Sequence, residues 1–518
     1  MPSELISGAI VGVTGVPVRV EVDTLRRLPA TQIVGLAANA VKEAAERVRS
    51  AVHAAGFDWP RQRVVVNLAP ADLRKEGTAF DLPIALGVLT AAGHLPASTL
   101  EGKVFAGELS LAGELRPVRG TLVLALMARA HGYQELVVPQ ACAAEASLVE
   151  GITVWGAGDI RSVIEHLEGR QLLSQPSAPT SASLGHTTDL SEVRGQVLAR
   201  RALEISAAGG HNLLMVGPPG CGKTMLASRL PTILPEPTFE EAVEATCIHS
   251  VAGLRDPGAG LLTTRPFRAP HHSISAAGML GNALLRPGEV SLAHTGVLFL
   301  DELPEFMRNV LELLRDPLEN RQVALSRALG SVVFPASFAL VAAANPCPCG
   351  YRGHPRRPCG CSDEAVQRYL GRISGPLLDR IDMHVELMPV DTDALVSTQA
   401  AESSAQVRAR VVEARRVQLD RYRGTAVHCN AALTGAQARQ AAALSDEAAH
   451  LVRSFVDTFA LSGRAHARIL KVARTIADLE KAREVQVVHV AEAMQYRGWD
   501  RALGDPASGE APEERAPW

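Results

Sequence analysis

The sequence has almost no excess of charge of either sign. Lys and Arg number 52 against 55 Asp and Glu, so the formal net charge is −3. This balance argues against a protein that coats a polyanion over its whole surface. A local basic channel is compatible with it, because binding follows the charged patch and not the total.

The sequence also lacks a long apolar run and a secretory signal. The longest uncharged stretch, residues 328–351, contains Asn345, three prolines and two cysteines, which makes a poor membrane span. The first thirty residues contain Glu4, Glu21 and Asp23, and they alternate like strands instead of forming an unbroken apolar core. We therefore expect neither a signal peptide nor a membrane span.

Cysteine is scarce, with eight among 518 residues. Without a secretory signal, these cysteines are expected to be reduced thiols or metal ligands and not disulfides, which indicates a cytoplasmic location.

The length suggests about three domains, since one domain usually takes about 100–200 residues.

A nucleotide-binding motif lies near the middle of the chain. The apolar run 213–216 predicts a buried strand, and helical character follows Thr224. Glycines between the two let backbone N–H groups surround phosphates, while Lys223 reaches the β- and γ-phosphates and Thr224 places its hydroxyl on Mg²⁺. A glycine-rich turn that binds nothing is disfavoured by this register, so we expect a nucleoside triphosphate site. This motif is a P-loop, and its members are Gly217, Pro218, Pro219, Gly220, Cys221, Gly222, Lys223 and Thr224.

Two carboxylates, Asp301 and Glu302, follow a second predicted strand. This is the Walker B arrangement, in which Asp301 would hold Mg²⁺ together with Thr224, and Glu302 would orient or deprotonate the attacking water. A strand that ends in Asp-Glu is common by itself but becomes a strong signal after a P-loop. A third apolar strand, 338–344, ends at Asn345, a residue type that also forms turns.

Four arginines are candidates for nucleic-acid contact. Arg265, Arg268 and Arg286 lie in an insert between the P-loop and Walker B, and Arg327 lies at the tip of a predicted hairpin. In the functional interpretation, the insert faces a central pore and these side chains meet phosphates. In the alternative they are solvated arginines of ordinary surface loops, and the sequence does not decide between the two.

Half of the cysteines lie within fifteen positions, as two C-x-C pairs in a Pro/Gly-rich loop: Cys347, Cys349, Cys359 and Cys361. Four thiolates around Zn²⁺ would cross-link a loop that has few apolar residues with which to fold. The pairs are tighter than the usual C-x₂₋₄-C spacing. Reduced thiols without metal, or a redox-responsive loop, are the alternatives.

The first 170 residues predict a compact α/β domain that resembles the proteolytic domain of the Lon family. Residues 75–80 stand where Lon-like proteases have a glycine-flanked serine nucleophile, but the serine position holds Ala79. No lysine lies between Lys103 and the end of this part of the chain. A Ser/Lys dyad needs both a nucleophile and a base, so we expect the fold without the peptidase chemistry.

As a whole, the chain resembles the ComM/YifB family of magnesium-chelatase-like AAA+ ATPases. The Lon-like half carries the resemblance together with six motifs, at 217–224, 267–272, 291–306, 345–350, 377–382 and 474–480. It implies an α/β fold: a P-loop AAA+ parallel-sheet core, an N-terminal Lon-protease-like domain and a C-terminal α-helical lid. The predicted parts are the Lon-like domain 1–170, a linker 171–187, the AAA+ core with inserts 188–392, the lid 393–500 and a disordered tail 501–518.

The resemblance also implies roles for single residues. Asn345 would be sensor 1, Arg380 the arginine finger that reaches a neighbour's γ-phosphate, and Arg464 sensor 2. For Arg380, the alternative is a local ion pair with Asp379 or Asp382. Three further basic residues on the helix of Arg464 are expected to form a solvated face: Arg468, Lys471 and Arg474.

The implied function is that of a homo-hexameric ring that uses ATP and Mg²⁺ to move on branched or single-stranded DNA. In the family, this activity is linked to branch migration during natural transformation. The alternative is a magnesium-chelatase-like motor or protein-remodelling ATPase that acts with a protein partner. An ATP-dependent Lon-like protease is disfavoured by Ala79 and the missing lysine.

Overall fold

The protein is described by a computed structural model that covers residues 2–36, 38, 41, 43–75, 77–176, 188–256, 259–327, 330–389, 401–425, 427–458 and 462–497. Most of the predicted linker, at 177–187, lies outside the described residues, as does all of the predicted tail. None of the helices in these ranges is long and apolar enough to cross a membrane.

A mixed sheet of seven described strands organises the N-terminal part of the chain. Its strands are β1 (Ser3–Val11), β2 (Thr14–Leu25), β3 (Thr31–Val34), β4 (Arg63–Ala69), β5 (Lys103–Phe105), β8 (Glu135–Pro139) and β9 (Thr153–Ala157), and β6 (Glu108–Leu109) and β7 (Leu115–Arg116) form a separate hairpin. The order across the sheet is β3-β4-β2-β1-β5-β8-β9. The helices of this part are α1 (Ala44–Ala54), α2 (Asp81–Ala91), α3 (Thr121–Ala130), α4 (Gln140–Ala146) and α5 (Ile160–Leu167), with a 3₁₀ turn at Ala97–Leu100.

A parallel sheet of five described strands forms the core of the second part. The strands are β10 (Leu213–Val216), β11 (Phe267–Arg268), β12 (Val297–Leu300), β15 (Ala339–Ala344) and β16 (Met383–Glu386), in the order β11-β12-β15-β10-β16. β10 and β12 are buried throughout, as expected for parallel strands covered on both faces. An antiparallel hairpin, β13 (Gln322–Arg327) with β14 (Gly330–Pro335), stands apart from this sheet, and its tip residues 328 and 329 lie outside the described ranges.

Short helices connect the strands of this second part. They are α6 (Val197–Gly209), α7 (Lys223–Ile233), α8 (Phe239–Ala252), α9 (Ala276–Leu280), α10 (Glu289–Leu292), α11 (Arg308–Glu312), α12 (Arg315–Asn320), α13 (Asp363–Leu370) and α14 (Gly375–Leu378), with 3₁₀ turns at Leu190–Glu192 and Leu303–Glu305.

Helices dominate the C-terminal part of the chain and pack against the parallel sheet. They are α15 (Ser404–Arg421), α16 (Gly435–Ala442), α17 (Asp446–Thr458), α18 (Gly463–Leu479) and α19 (Val487–Gln495), with a 3₁₀ turn at Asn430–Ala432. One buried apolar cluster contains residues of β10, β16, α6, α7, α15 and α18. The helical part therefore shares its core with the sheet that carries the P-loop.

The expected solvated face of α18 is wrong. Arg474 is 1% exposed and pairs with Asp478, which is itself 2% exposed, and its guanidinium also donates to the carbonyls of Ala482 and Arg483. Arg468 lies 3.4 Å from a carboxylate oxygen of Asp382, and Lys471 donates to the carbonyl of Ala431. These three cations point into the protein because each has an internal acceptor, which is the condition for burying a charge.

Among the described residues, the N-terminal part contacts the second part near the β1–β2 turn and near α8. The turn between β1 and β2 packs against the β13–β14 hairpin, where a Cβ at Gly12 would lie 2.2 Å from Val332. Elsewhere Ser250 on α8 accepts a hydrogen bond from the backbone N–H of Gly120 and donates to Glu145. The first contact is apolar, and the second adds apolar packing of Cys247 and Val251 to this polar network.

Candidate nucleotide site

The P-loop joins the buried strand β10 to helix α7. Gly222 caps the helix with φ +90°, and Gly217 packs so tightly that a Cβ there would lie 2.6 Å from the carbonyl oxygen of Leu387. Only glycine meets both requirements without strain. The N-terminus of α7 therefore opens toward the loop, with the orientation that favours anions.

Lys223 is buried and its ammonium is held inside the loop. Its Nζ donates to the carbonyls of Gly217 at 2.6 Å and Pro218 at 2.9 Å, and to Asn345 Oδ1 at 3.1 Å. Burial lowers the pKa of Lys223, and the neighbouring Cys221 and Asp301 oppose that shift. Oxygen acceptors around a buried ammonium are the environment that phosphate oxygens would supply.

The two proposed Mg²⁺ ligands contact each other. Thr224 Oγ1 donates to Asp301 Oδ2 at 2.6 Å, across 77 positions of the sequence. Hydroxyl and carboxylate oxygens are hard ligands that suit Mg²⁺, which commonly binds one or two protein groups and substrate phosphates. The residues present therefore fit a magnesium–triphosphate complex.

Glu302 occupies a strained backbone position. Its φ is +52°, in the left-handed region, and its N–H donates to Asp301 Oδ1 at 2.9 Å. A non-glycine residue in this region costs of order 1–3 kcal/mol and is retained where the surroundings require it. The Glu302 side chain is 53% exposed.

His272 is the residue of this site that the sequence analysis missed. Its Nδ1 lies 3.3 Å from Glu302 Oε2. Its ring packs 4.0 Å from that of His271 and edge-on to Phe306 at 6.4 Å. Two signals were available: the adjacent histidines, and their place at the end of the family motif 267–272.

Arg380 and Arg464 do not contact the P-loop of their own chain within the described residues. Arg380 pairs with Glu319 and donates to the carbonyl of Pro376 at 2.9 Å, so its partner is neither of the two aspartates suggested by the sequence. Arg464 is exposed in the first turn of α18.

The structure separates the four candidate DNA-contacting arginines into two pairs. Arg265 is only 13% exposed and pairs with Glu241 at 2.7 Å, and Arg268 forms a bidentate pair with Glu289 at 2.6 and 2.7 Å. Both guanidinium groups already have a carboxylate partner, which argues against their contacting DNA. Arg286 and Arg327 are exposed.

The four cysteines of the C-x-C pairs come together. The Sγ atoms of Cys347, Cys349 and Cys359 are separated by 3.4 to 3.6 Å, and all four Sγ atoms, including that of Cys361, lie within 4.8 Å of one another. A zinc–thiolate tetrahedron with bonds of about 2.3 Å has edges of about 3.8 Å, whereas a disulfide needs about 2.05 Å. The spacing matches a tetrahedral metal centre.

A parallel sheet with a P-loop, a Walker B pair, a polar strand-end residue and a packed C-terminal helical part defines a P-loop protein of the AAA+ class. Three family profiles match successive parts of the chain. "Subunit ChlI of Mg-chelatase" matches residues 20–142, "Magnesium chelatase, subunit ChlI" residues 189–395, and "Magnesium chelatase, subunit ChlI C-terminal" residues 401–497.

Curated relatives extend the match to nearly the whole chain. The sequence is 44% identical to the uncharacterized protein YifB of Salmonella typhimurium and 44% identical to the competence protein ComM of Haemophilus influenzae, in both cases over 96% of this chain and 97% of the relative. An uncharacterized protein of Mycobacterium tuberculosis is 42% identical over 95% of this chain and 97% of its own length. The chain belongs to the ComM/YifB family of magnesium-chelatase-like AAA+ proteins, a family that suggests ATPase activity with ATP and Mg²⁺.

The contact between His272 and Glu302 predicts a positioning role for the histidine. His272→Ala should lower kcat for ATP about tenfold with little change in nucleotide affinity, because the carboxylate loses the group that orients it. His272→Asn, which keeps a polar atom near the position of Nδ1, should recover part of the loss. Steady-state ATP turnover and binding of a fluorescent ATP analogue measure the two effects. His271→Ala is the matched control, and an unchanged kcat in His272→Ala would contradict the role.

Proposed function

We propose that this protein is a ring-forming ATPase that couples hydrolysis of Mg²⁺-bound ATP to movement on DNA, with branch migration as its activity. The contact of Thr224 with Asp301 carries the ATPase part, because it joins the two expected Mg²⁺ ligands at the mouth of the P-loop. Lys223 and Asn345 would bind the β- and γ-phosphates, and Glu302 would orient the attacking water.

Assembly into a homo-oligomer, proposed as a hexamer, is supported by Arg380. Its guanidinium lies near the surface on Glu319 and makes no hydrogen bond to its own P-loop. An arginine that completes a phosphate site of a neighbouring identical chain requires a head-to-tail interface, and such an interface generates a ring when the rotation closes. Arg464 would approach the nucleotide from the helical lid.

Two exposed arginines support the DNA part of the proposal. Arg327 pairs with Gly330 at the end of the β13–β14 hairpin, and a Cβ at Gly330 would lie 3.9 Å from Leu285, the neighbour of Arg286. The hairpin and the insert therefore present Arg286 and Arg327 on adjoining segments, as a pair of cations for a phosphate backbone. The name of the Haemophilus relative, a competence protein, points in the same direction.

A second candidate function is a motor that acts on a protein partner. The three profile matches, all to the ChlI subunit of magnesium chelatase, favour it. Such a protein would hydrolyse ATP at the same site but would respond to its partner and not to DNA.

We also propose that Cys347, Cys349, Cys359 and Cys361 hold a structural Zn²⁺. The sulfur spacing supports this, and so does the small number of apolar residues in the loop.

The DNA proposal predicts that branched DNA stimulates ATP turnover of the wild-type protein. Arg286→Ala combined with Arg327→Ala should weaken DNA binding and flatten its salt dependence, because two phosphate contacts are lost. Glu302→Gln should bind ATP but turn it over about 100-fold more slowly, whereas Glu305→Gln should stay near wild type. Phosphate release and strand exchange on a synthetic junction are the measurements. Turnover that ignores DNA, with no strand exchange, would refute movement on DNA and favour the partner-driven motor.

The finger proposal predicts complementation between two inactive proteins. Arg380→Ala should lower turnover about 1,000-fold, as removal of an arginine finger does, and Lys223→Ala should be inactive because it lacks the phosphate-binding ammonium. Mixing the two should restore part of the activity, since some interfaces then combine an intact P-loop with an intact arginine. Full activity of Arg380→Ala alone would show that the residue does not act as a finger.

The zinc proposal predicts about one zinc atom per chain of purified protein. Cys359→Ser should lower that content sharply, and Cys142→Ala, a cysteine outside the cluster, should not. Elemental analysis decides this directly, and an unchanged zinc content in Cys359→Ser would count against these ligands.

A further inference from the structure

The four-cysteine cluster begins two residues after the proposed phosphate sensor. β15 ends at Ala344, Asn345 follows, and Cys347 is fully buried. Asn345 accepts a hydrogen bond from Lys223 Nζ at 3.1 Å. The segment that provides the first thiolate is thus continuous with the residue that contacts the P-loop lysine.

The loop between the cysteines touches the P-loop directly. Gly350 is buried with φ +83°, and a Cβ there would lie 2.7 Å from Pro219 Cδ and 3.8 Å from Asn345 Cγ. Its N–H donates to the carbonyl of Cys347 at 2.9 Å, which closes a turn between the first two thiolates. The backbone at Gly350 therefore fills the space between the metal loop and the nucleotide loop.

Helix α13 packs against the cysteine loop at Cys347. Val366, Tyr369 and Leu370 of α13 form a small apolar cluster with Cys347. Burial raises the pKa of Tyr369 to about 12, partly offset by a backbone hydrogen bond from Asn345. The cluster has four buried members, Cys347 among them. A core of this size does not fix a loop by itself, so its geometry depends on a cross-link among the thiolates.

We propose that the metal-bound cysteine cluster is a brace for the nucleotide site. The bound metal fixes the turn that holds Gly350 against Pro219 and sets Asn345 beside Lys223. Its effect is on ATP binding and turnover, and not only on the stability of its own loop. This inference rests on the proposed ATPase activity and on the proposed zinc.

Two glycines of the same loop allow a matched test. Gly350 and Gly353 both have positive φ, +83° and +74°, so an alanine meets similar backbone strain at either position. A Cβ at Gly353 has nothing within 4 Å, whereas a Cβ at Gly350 meets Pro219. Comparing Gly350→Ala with Gly353→Ala in the full-length protein isolates the contact with the P-loop.

Both glycine variants should keep the zinc content of the wild type. Gly350→Ala should lower kcat/KM for ATP at least tenfold, because a displacement of about 1 Å near reacting groups can cost up to about 100-fold, and Gly353→Ala should stay within about twofold of wild type. Cys359→Ser should lose zinc and turnover together. Equal turnover in the two glycine variants, or a zinc-free Cys359→Ser protein with wild-type turnover, would overturn the brace.

The test also separates this inference from the proposed function. A wild-type protein that binds ATP but does not hydrolyse it would refute the ATPase proposal and leave affinity for a fluorescent ATP analogue as the readout. Weaker binding by Gly350→Ala than by Gly353→Ala would then support the brace, and equal affinity would overturn it.

Discussion

The register between neighbouring parallel strands determines which side chains meet at the nucleotide site. Val216 of β10 pairs with Ala344 of β15, so Gly217 and Asn345 leave the sheet side by side, and the Gly217 N–H donates to the carbonyl of Ala344 at 3.2 Å. A slip of one residue would turn Asn345 to the opposite face, because side chains alternate along a strand. The ammonium of Lys223, the amide of Asn345 and the four-cysteine loop beyond it all depend on this alignment.

The parts of this site that follow from local sequence could be predicted. The run Leu213–Val216 forms the strand that its apolar pattern predicted. The glycines of the P-loop predict a tight turn, because no other residue type adopts that backbone conformation as easily. The helical character expected after Thr224 is found in α7, Lys223–Ile233. Short-range patterns of this kind are encoded within a few residues of the position they describe, which is why they are readable.

Contacts that depend on tertiary packing could not be predicted from the sequence. Arg474 was predicted to be a surface residue because a buried arginine needs hydrogen-bond acceptors inside the protein. Two of its acceptors are the backbone carbonyls of Ala482 and Arg483, and a backbone acceptor cannot be recognised from the residue types in the sequence. Likewise His272 and Glu302 are 30 positions apart, and only the parallel sheet brings their segments together. The carboxylate partners of Arg265 and Arg268 were equally hidden, since they lie 24 and 21 positions away.

For the proposed arginine finger, the pairing of Arg380 with Glu319 changes what subunit association would involve. In a separate chain this guanidinium already has an anionic partner, which is 57% exposed. Moving the Arg380 guanidinium to a phosphate across an interface would replace one anionic partner by another. The cost of removing this guanidinium from water would then be smaller, because its pairing with Glu319 has already removed part of its hydration. Ring formation would then be an exchange of counterions within the protein, in which nucleotide competes with Glu319 for the same cation.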